Sequence, residues 1–276
     1  MATVASSALG IVPARYASSR FPGKPLATIA GVPMIVRVVE GARRAKHLRE
    51  VWVATDDDRI AELCTRHDIP VRMTSNGHAT GTDRIAEAAR ELACDVVVNV
   101  QGDEPLIEGF VIDAAVAALD ETPEAPMATV VHPAPPDAAR DPHRVKAVLD
   151  RRGFALWFSR SGLPATRPGG PQPQLWQHVG LYAYRKPFLE TFVSLPPGEA
   201  EEVEALEQLR ALEHGYRIRA AVVEGWRGVA VDVPEDVARV EAVLGARPGT
   251  PSTERSSPQP TGHIARGGPA PDPESP

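Results

Sequence analysis

The stretch VVVNVQGDEP, residues 96–105, determines the fold class of this 276-residue chain. Four of its first five residues are β-branched valines, without an alternation of apolar and polar residues, which is typical of a parallel strand covered on both faces. A glycine and two acidic residues follow at once, so the predicted strand ends in a charged turn. The runs LGIV at residues 9–12 and VWVA at residues 51–54 have the same apolar character. Together the three runs predict a buried sheet at the centre of the protein.

The segments between these runs have helical character. Amphipathic patterns cover residues 34–45, 58–67 and 82–92. Strands that alternate with helices predict an α/β fold, here a Rossmann-like mixed and mostly parallel sheet flanked by helices. Farther along the chain we expect strands in RVKAVLD, FALWFS and HVGLYAYR, and helices over residues 201–214 and 234–244. We also expect a β element to be inserted or to project between residues 142 and 184.

Composition and charge exclude several classes of protein. The chain is 43% hydrophobic and has no run of eighteen apolar residues, which predicts a soluble domain that does not span a membrane. A net charge of -6 without a basic tract argues against a nucleic-acid partner. Two cysteines, Cys64 and Cys94, are too few for a disulfide framework and predict reduced thiols in a cytoplasmic protein.

The end of the chain has a different composition. Residues 246–276 are rich in proline and contain no aromatic residue and one large aliphatic residue, Ile264. Such a segment buries too little apolar area to offset the entropy of ordering. We therefore expect one domain over residues 1–245 and a disordered proline-rich tail over residues 246–276.

The segment PARYASSRFPGKPL, residues 13–26, follows the first predicted strand, where an open α/β sheet binds its ligands. Small residues let backbone N–H groups approach a phosphate closely, and Arg15 and Lys24 can neutralise its charge. The spacings GxxxxGK[ST] and GxGxxG are both absent, which excludes a Walker loop and a dinucleotide fingerprint. The alternative is a solvated basic turn, but the position after the first strand favours phosphate binding.

Two aspartates follow short predicted strands and are candidate ligands of a divalent cation. Asp103 lies in the QGDEP turn, and Asp232 lies in VAVDVPED, residues 229–236. Carboxylate oxygens are the ligands that Mg2+ prefers. The alternative is that each aspartate caps the helix that follows it. The spacing in the sequence does not decide between these two roles.

Three further motifs suggest nucleotide and acceptor recognition. Thr80 precedes the motif GTDR, residues 81–84, which contains Thr82, and both threonines could cap a helix or contact a base edge. In QHVGLYAYR, residues 177–185, the side chains of His178, Tyr182 and Tyr184 share one face of a strand, toward a cleft or the core. In EALEQLR, residues 204–210, the leucines face inward with Glu207 and Gln208 beside them.

In this order, PARYASSRFPGKPL, ATDD, GTDR, VNVQGDEP, FSR, HVGLYAYR, LEQLR and VDVPED resemble the CMP-KDO synthetases, the 3-deoxy-manno-octulosonate cytidylyltransferases. The resemblance runs from about residue 9 to residue 244 and implies a homodimer that uses CTP and Mg2+. It also implies that an acceptor oxygen attacks the α-phosphorus of CTP while pyrophosphate leaves in line.

The resemblance implies four groups of site residues. They are the catalytic residues Arg15, Lys24 and Asp103; the nucleotide-binding residues Arg15, Lys24, Thr80, Gly81 and Arg84; the acceptor-binding residues Gln101, Arg160, His178, Tyr182, Glu207 and Gln208; and the metal ligands Asp103 and Asp232.

The acceptor side departs from the family pattern. Gln177 stands where the family usually has a cation, and Val233 stands where it usually has a hydroxyl residue. We expect the use of CTP to persist, and two small acidic acceptors remain open: KDO, or a phosphonate such as phosphonoformate, as in phosphonate antibiotic biosynthesis. A catalytically inactive CTP-binding module is a third alternative, although such a module is expected to lose one of the two metal acids.

Overall fold

The computed structural model describes residues 7–246 apart from residues 172 and 227. The strands are β1 (Ala8–Ala14), β2 (Thr28–Ile29), β3 (Val32–Pro33), β4 (Leu48–Thr55), β5 (Val71–Met73), β6 (Val96–Asn99), β7 (Met127–Pro133), β8 (Lys146–Leu149), β9 (Ala155–Ser159), β10 (Trp176–Arg185) and β11 (Ile218–Val222). The α-helices are α1 (Met34–Ala42), α2 (Asp58–Arg66), α3 (Gly81–Arg90), α4 (Gly109–Asp120), α5 (Lys186–Ser194), α6 (Glu199–Glu204), α7 (Leu209–Glu213) and α8 (Asp236–Ala246).

The central sheet has the strand order β11-β7-β10-β6-β1-β4-β5. Strand β1 runs parallel to β4 and β6, β4 runs parallel to β5, and β11 runs parallel to β7. Only β10 lies antiparallel to its neighbours β6 and β7 along this path. The predicted mixed and mostly parallel sheet is therefore confirmed. The predicted β element is the antiparallel pair β8–β9, which joins the sheet where β8 pairs with β10.

Both faces of the sheet are covered by helices, which explains the unbroken apolar runs. Leu9, Ile11 and Val97 pack on one face with residues of α3 and α5. Val12 and Val98 pack on the other face with residues of α1, α2 and α4. Because successive residues of a strand point to opposite faces, a strand covered on both sides is apolar at nearly every position.

The helices predicted over residues 34–45, 58–67, 82–92 and 234–244 are present as α1, α2, α3 and α8. The single helix predicted over residues 201–214 is wrong, because α6 ends at Glu204 and its C-cap residue Ala205 has a left-handed φ of 50°. A residue in this conformation ends an α-helix, and α7 begins four residues later at Leu209. The turn between α6 and α7 carries Glu207 and Gln208.

No helix in the described part of the chain is long and apolar enough to cross a membrane. The predicted tail lies outside the described residues from position 247 onward.

Candidate active site

A cleft of about 850 Å³ lies between the segment after β6, the middle of β10, the turn between α6 and α7, and the segment before α8. Its walls include many of the predicted site residues: Gln101, Asp103, His178, Tyr182, Glu207, Gln208 and Asp232. A smaller cleft of about 440 Å³ lies beside Asp95 and Arg185, next to the start of β6. It contains none of the predicted residues, in agreement with the rule that α/β sheets bind ligands at the carboxyl ends of their parallel strands.

The loop after β1 meets both predicted metal ligands. Lys24 Nζ lies 3.0 Å from Asp103 Oδ2 and donates to the Val231 carbonyl at 2.9 Å. Arg20 Nη2 lies 3.1 Å from Asp232 Oδ1. The structure therefore brings the predicted phosphate-binding loop and the two carboxylates together, although they are far apart in the sequence.

The alternative role for the two aspartates, as helix caps, is wrong. The helix after Asp103 is α4, and its N-cap residue is Glu108. The helix after Asp232 begins only at Asp236, whose Oδ2 accepts the Asp232 amide at 2.7 Å. Both Asp103 and Asp232 are therefore free of a capping role, and their carboxylates face cations instead.

Glu104 adds a third carboxyl group to this end of the cleft. Its Oε2 atom is buried without a hydrogen-bond partner, and a Cβ atom added at Gly228 would lie only 3.0 Å from it. Burial raises the pKa of Glu104 to about 8, and the charges of Asp103 and Asp232 raise it while Lys24 lowers it. Near neutral pH the Glu104 carboxyl is therefore largely protonated, and the anionic charge lies on the two aspartates.

The carboxylates of the cleft suit a magnesium ion whose other ligands come from a nucleotide and water. Among the residues that the structure describes, no three His, Cys, Asp or Glu side chains form a complete cation cage. Mg2+ is commonly held by one or two carboxylates together with substrate phosphates and water. Asp103 and Asp232 supply two such carboxylates in one cleft.

The start of α3 forms the predicted nucleotide side. Thr80 is the N-cap residue: its hydroxyl accepts the Asp83 amide at 3.1 Å, and the Asp83 carboxylate accepts the Thr80 amide at 3.0 Å. A Cβ atom at Gly81 would lie 3.3 Å from the ring of Pro13, so the helix begins against the end of β1. Arg15 follows β1, and its Nη2 atom is buried without a partner. The positive end of a helix and a guanidinium with an unpaired donor each favour an anion.

Arg84 lies in the first turn of α3, and its side chain is fully buried. Its Nη2 atom lies 3.0 Å from Asp56 Oδ2, and its Nη1 atom donates to the hydroxyl of Thr74. These contacts connect α3 to the segments that follow β4 and β5. They give Arg84 a role in holding the helix in place, and its contact with the nucleotide stays a prediction.

We expect Arg84→Leu to lower the free energy of unfolding by about 3 kcal/mol, because it leaves Asp56 unpaired near the core. Urea denaturation at neutral pH measures this change. Arg90→Leu, an exposed change on the same helix, is the matched control and should cost less than about 1 kcal/mol. Equal stability of the two variants would contradict the structural role of Arg84.

His178 and Tyr182 form the aromatic wall of the cleft. The His178 ring lies edge-on to Phe158 at 4.9 Å and lies 5.4 Å from the ring of Tyr182. His178 Nε2 lies 2.9 Å from Thr129 Oγ1, and burial lowers the pKa of His178 to about 3. The imidazole is therefore neutral at physiological pH and acts as a hydrogen-bonding group.

Glu207 and Gln208 each present an unsatisfied atom. The Tyr182 hydroxyl donates to Gln208 Oε1 at 2.9 Å, and the Thr82 hydroxyl donates to Glu207 Oε2. Glu207 Oε1 and Gln208 Nε2 are buried without a hydrogen bond, and the Arg210 guanidinium lies 3.9 Å from Glu207 Oε1. Burial raises the pKa of Glu207, whereas hydrogen bonds from Thr82 and Thr80 lower it. Native structures rarely leave such groups unpaired, so a ligand is expected to complete them.

The Arg160 side chain binds backbone carbonyls beside the turn between α6 and α7. Its guanidinium donates to the carbonyls of Glu204 at 2.7 Å, Pro142 at 3.1 Å and Ala205 at 3.4 Å. Its amide also donates to the Glu204 carboxylate at 2.8 Å. Arg160 thereby holds the turn that carries Glu207, and its contact with the acceptor stays a prediction.

Comparison with known proteins agrees with this geometry. The cytidylyltransferase family model matches residues 9–218. The 3-deoxy-manno-octulosonate cytidylyltransferase of Syntrophotalea carbinolica is 52% identical, over 86% of this chain and 98% of its own length. The chain belongs to the 3-deoxy-manno-octulosonate cytidylyltransferase family. A relative of the same name from Anaeromyxobacter sp. strain Fw109-5 is 50% identical, over 86% of this chain and 97% of its own.

A solved structure shows the same fold with a nucleotide. The CMP:2-keto-3-deoxy-manno-octonic acid synthetase complexed with CTP superimposes with a TM-score of 0.83 at 38% identity. The match covers 87% of this chain and 99% of the synthetase. The family resemblance found in the sequence motifs is confirmed, and the enzyme is a CTP-dependent nucleotidyltransferase that transfers a cytidylyl group.

Proposed function

We propose that this enzyme joins CMP to KDO and releases pyrophosphate. The observation that carries the proposal is the pair of buried atoms, Glu207 Oε1 and Gln208 Nε2, that lack hydrogen bonds at the acceptor end of the cleft. A carboxylate oxygen only accepts a hydrogen bond and an amide nitrogen only donates one. A hydroxyl group satisfies both, and KDO is a sugar acid with several hydroxyl groups.

The phosphonate alternative has less support. Phosphonoformate carries no sugar hydroxyl that could pair with Glu207 and Gln208, and the relatives described above are named for KDO. The inactive alternative also lacks support, because Asp103 and Asp232 are both present and both line the cleft.

The charged residues suit an in-line attack on the α-phosphorus of CTP. Arg15 and Lys24 stabilise the charge that develops on the leaving pyrophosphate, and Arg20 lies close enough to assist them. Asp103 and Asp232 would hold Mg2+, which neutralises phosphate charge as a Lewis acid. Because two anions must meet in the cleft, fixed cations contribute more than covalent catalysis.

We also propose that the enzyme acts as a cytoplasmic homodimer. The free thiols of Cys64 and Cys94 suit a reducing compartment. The dimer is the assembly that the family resemblance implies.

Pyrophosphate release measured with each nucleoside triphosphate and Mg2+ tests the proposed reaction. With KDO as acceptor, we expect CTP to be preferred at least about tenfold over UTP, ATP and GTP, because the pocket selects by hydrogen bonds to the base. Mass spectrometry should identify CMP-KDO as the product. The proposal fails if phosphonoformate is turned over and KDO is not, or if a purine nucleotide is the better donor.

A further inference from the structure

A chain of buried polar side chains runs from Gln101 to Glu207. Gln101 Nε2 donates to Asn99 Oδ1 at 3.1 Å, and Asn99 Nδ2 donates to Thr82 Oγ1 at 3.4 Å. The Thr82 hydroxyl in turn donates to Glu207 Oε2. Asn99 and Thr82 are each only 1% exposed. They therefore place polar groups between β6 and α3, where apolar residues otherwise fill the core.

Every hydrogen bond in this series of side chains is donated in the direction of the Glu207 carboxylate. A threonine hydroxyl has one proton and two acceptor positions, so Thr82 accepts from Asn99 and gives its proton to Glu207. The Asn99 amide is oriented in turn by the bond from Gln101. As a result Glu207 Oε2 is occupied, and Oε1, which has Arg210 Nη2 at 3.9 Å but no hydrogen bond, is the oxygen that remains for a ligand.

A purely structural role would not require this arrangement. A set of buried polar groups that bond to one another stabilises the fold little more than a set of apolar groups of the same shapes would. Tyr182 orients Gln208 as Thr82 orients Glu207. The Tyr182 hydroxyl donates to Gln208 Oε1 and leaves Gln208 Nε2 without a hydrogen bond. Two buried hydroxyls thus set one acceptor atom and one donor atom at the same end of the cleft.

We propose that Thr82 and Asn99 are positioning residues that orient the Glu207 carboxylate to bind a hydroxyl of the acceptor sugar acid. This inference rests on the proposed function for the identity of the acceptor. Thr82 also lies in the first turn of α3, next to its cap Thr80. The same hydrogen-bonded chain therefore joins the predicted nucleotide side of the cleft to the acceptor side.

Steady-state kinetics of Thr82→Val, Thr82→Ser and the control Thr122→Val test the inference. Thr122 is buried like Thr82, and it lies just after α4, outside the walls of the cleft. We expect Thr82→Val to raise the KM for KDO about tenfold or more, as loss of a hydrogen bond to a charged group does. The KM for CTP should change less than about twofold, Thr82→Ser should restore acceptor binding, and Thr122→Val should resemble the wild type.

A second measurement does not depend on the acceptor. Titration of the Glu207 carboxyl by ¹³C NMR in the free enzyme should show a higher pKa in Thr82→Val, since the hydroxyl stabilises the anion. The charged neighbours of this carboxyl, Arg210 and Asp83, are unchanged in the variant. If the wild type does not use KDO, the proposed function fails, and this titration still decides the role of Thr82.

Two results would overturn the inference. One is a Glu207 titration that is the same in Thr82→Val and the wild type. The other is a Thr82→Val variant in which the KM values for KDO and CTP rise equally, the melting temperature falls, and Thr82→Ser restores neither.

Discussion

Asp103→Asn is expected to lower kcat about a thousandfold, because it removes an anionic ligand from the proposed metal site while keeping the shape of the side chain. The amide oxygen of the introduced asparagine can still accept from Lys24 Nζ, which lies 3.0 Å from the Asp103 carboxylate in the wild type. Folding should therefore survive. Because Asp103 caps no helix, a loss of activity in this variant cannot be assigned to a weakened helix.

Turnover at saturating CTP, KDO and Mg2+ measures the effect of Asp103→Asn, with melting temperature as the check on folding. Asp232→Asn should behave similarly, and Asp137→Asn, an exposed change outside the cleft, should match the wild type. Near-normal turnover of either cleft variant would remove that aspartate from the metal site.

Lys24→Met should lower kcat/KM for CTP by a factor of about 100 to 1,000, the range for losing one preorganised group that stabilises transition-state charge. The Lys24 side chain is only 17% exposed and contacts Asp103 and the Val231 carbonyl, so its ammonium is held in place before the nucleotide arrives. Methionine keeps the apolar stem and removes the charge.

Initial rates at varied CTP concentration measure the effect of Lys24→Met. Lys46→Met provides the control, because Lys46 is exposed and distant in sequence from the loop after β1. A Lys24→Met variant with unchanged kcat/KM for CTP would show that Lys24 serves only as the counterion of Asp103.

The sheet could be predicted from the sequence because its chemistry is local. A strand covered on both faces is largely apolar, and the runs that became β1, β4 and β6 show this directly apart from Asn99. The prediction of one helix over residues 201–214 was wrong because of contacts with a residue that is distant in the sequence. The Arg160 guanidinium binds the carbonyls of Glu204 and Ala205, and these contacts accompany a backbone conformation that helical periodicity cannot reveal.

The candidate site was predictable in part for the same reason. Loops after parallel strands indicate where ligands bind, and the acidic and basic residues of those loops are visible in the sequence. Neither the raised pKa of Glu104 nor the series of hydrogen bonds from Asn99 to Glu207 could be predicted. They depend on burial and on contacts such as that between Thr82 and Glu207, which are 125 residues apart.

The two ion pairs between the loop after β1 and the aspartates affect how the cleft acquires its ions. In the free enzyme, Lys24 and Arg20 compensate the charges of Asp103 and Asp232. A bound triphosphate would share these cations in place, so the two carboxylates would be less fully compensated and would attract a divalent cation more strongly. The proposed magnesium site would therefore bind its cation more tightly once the nucleotide is in the cleft than in the free enzyme.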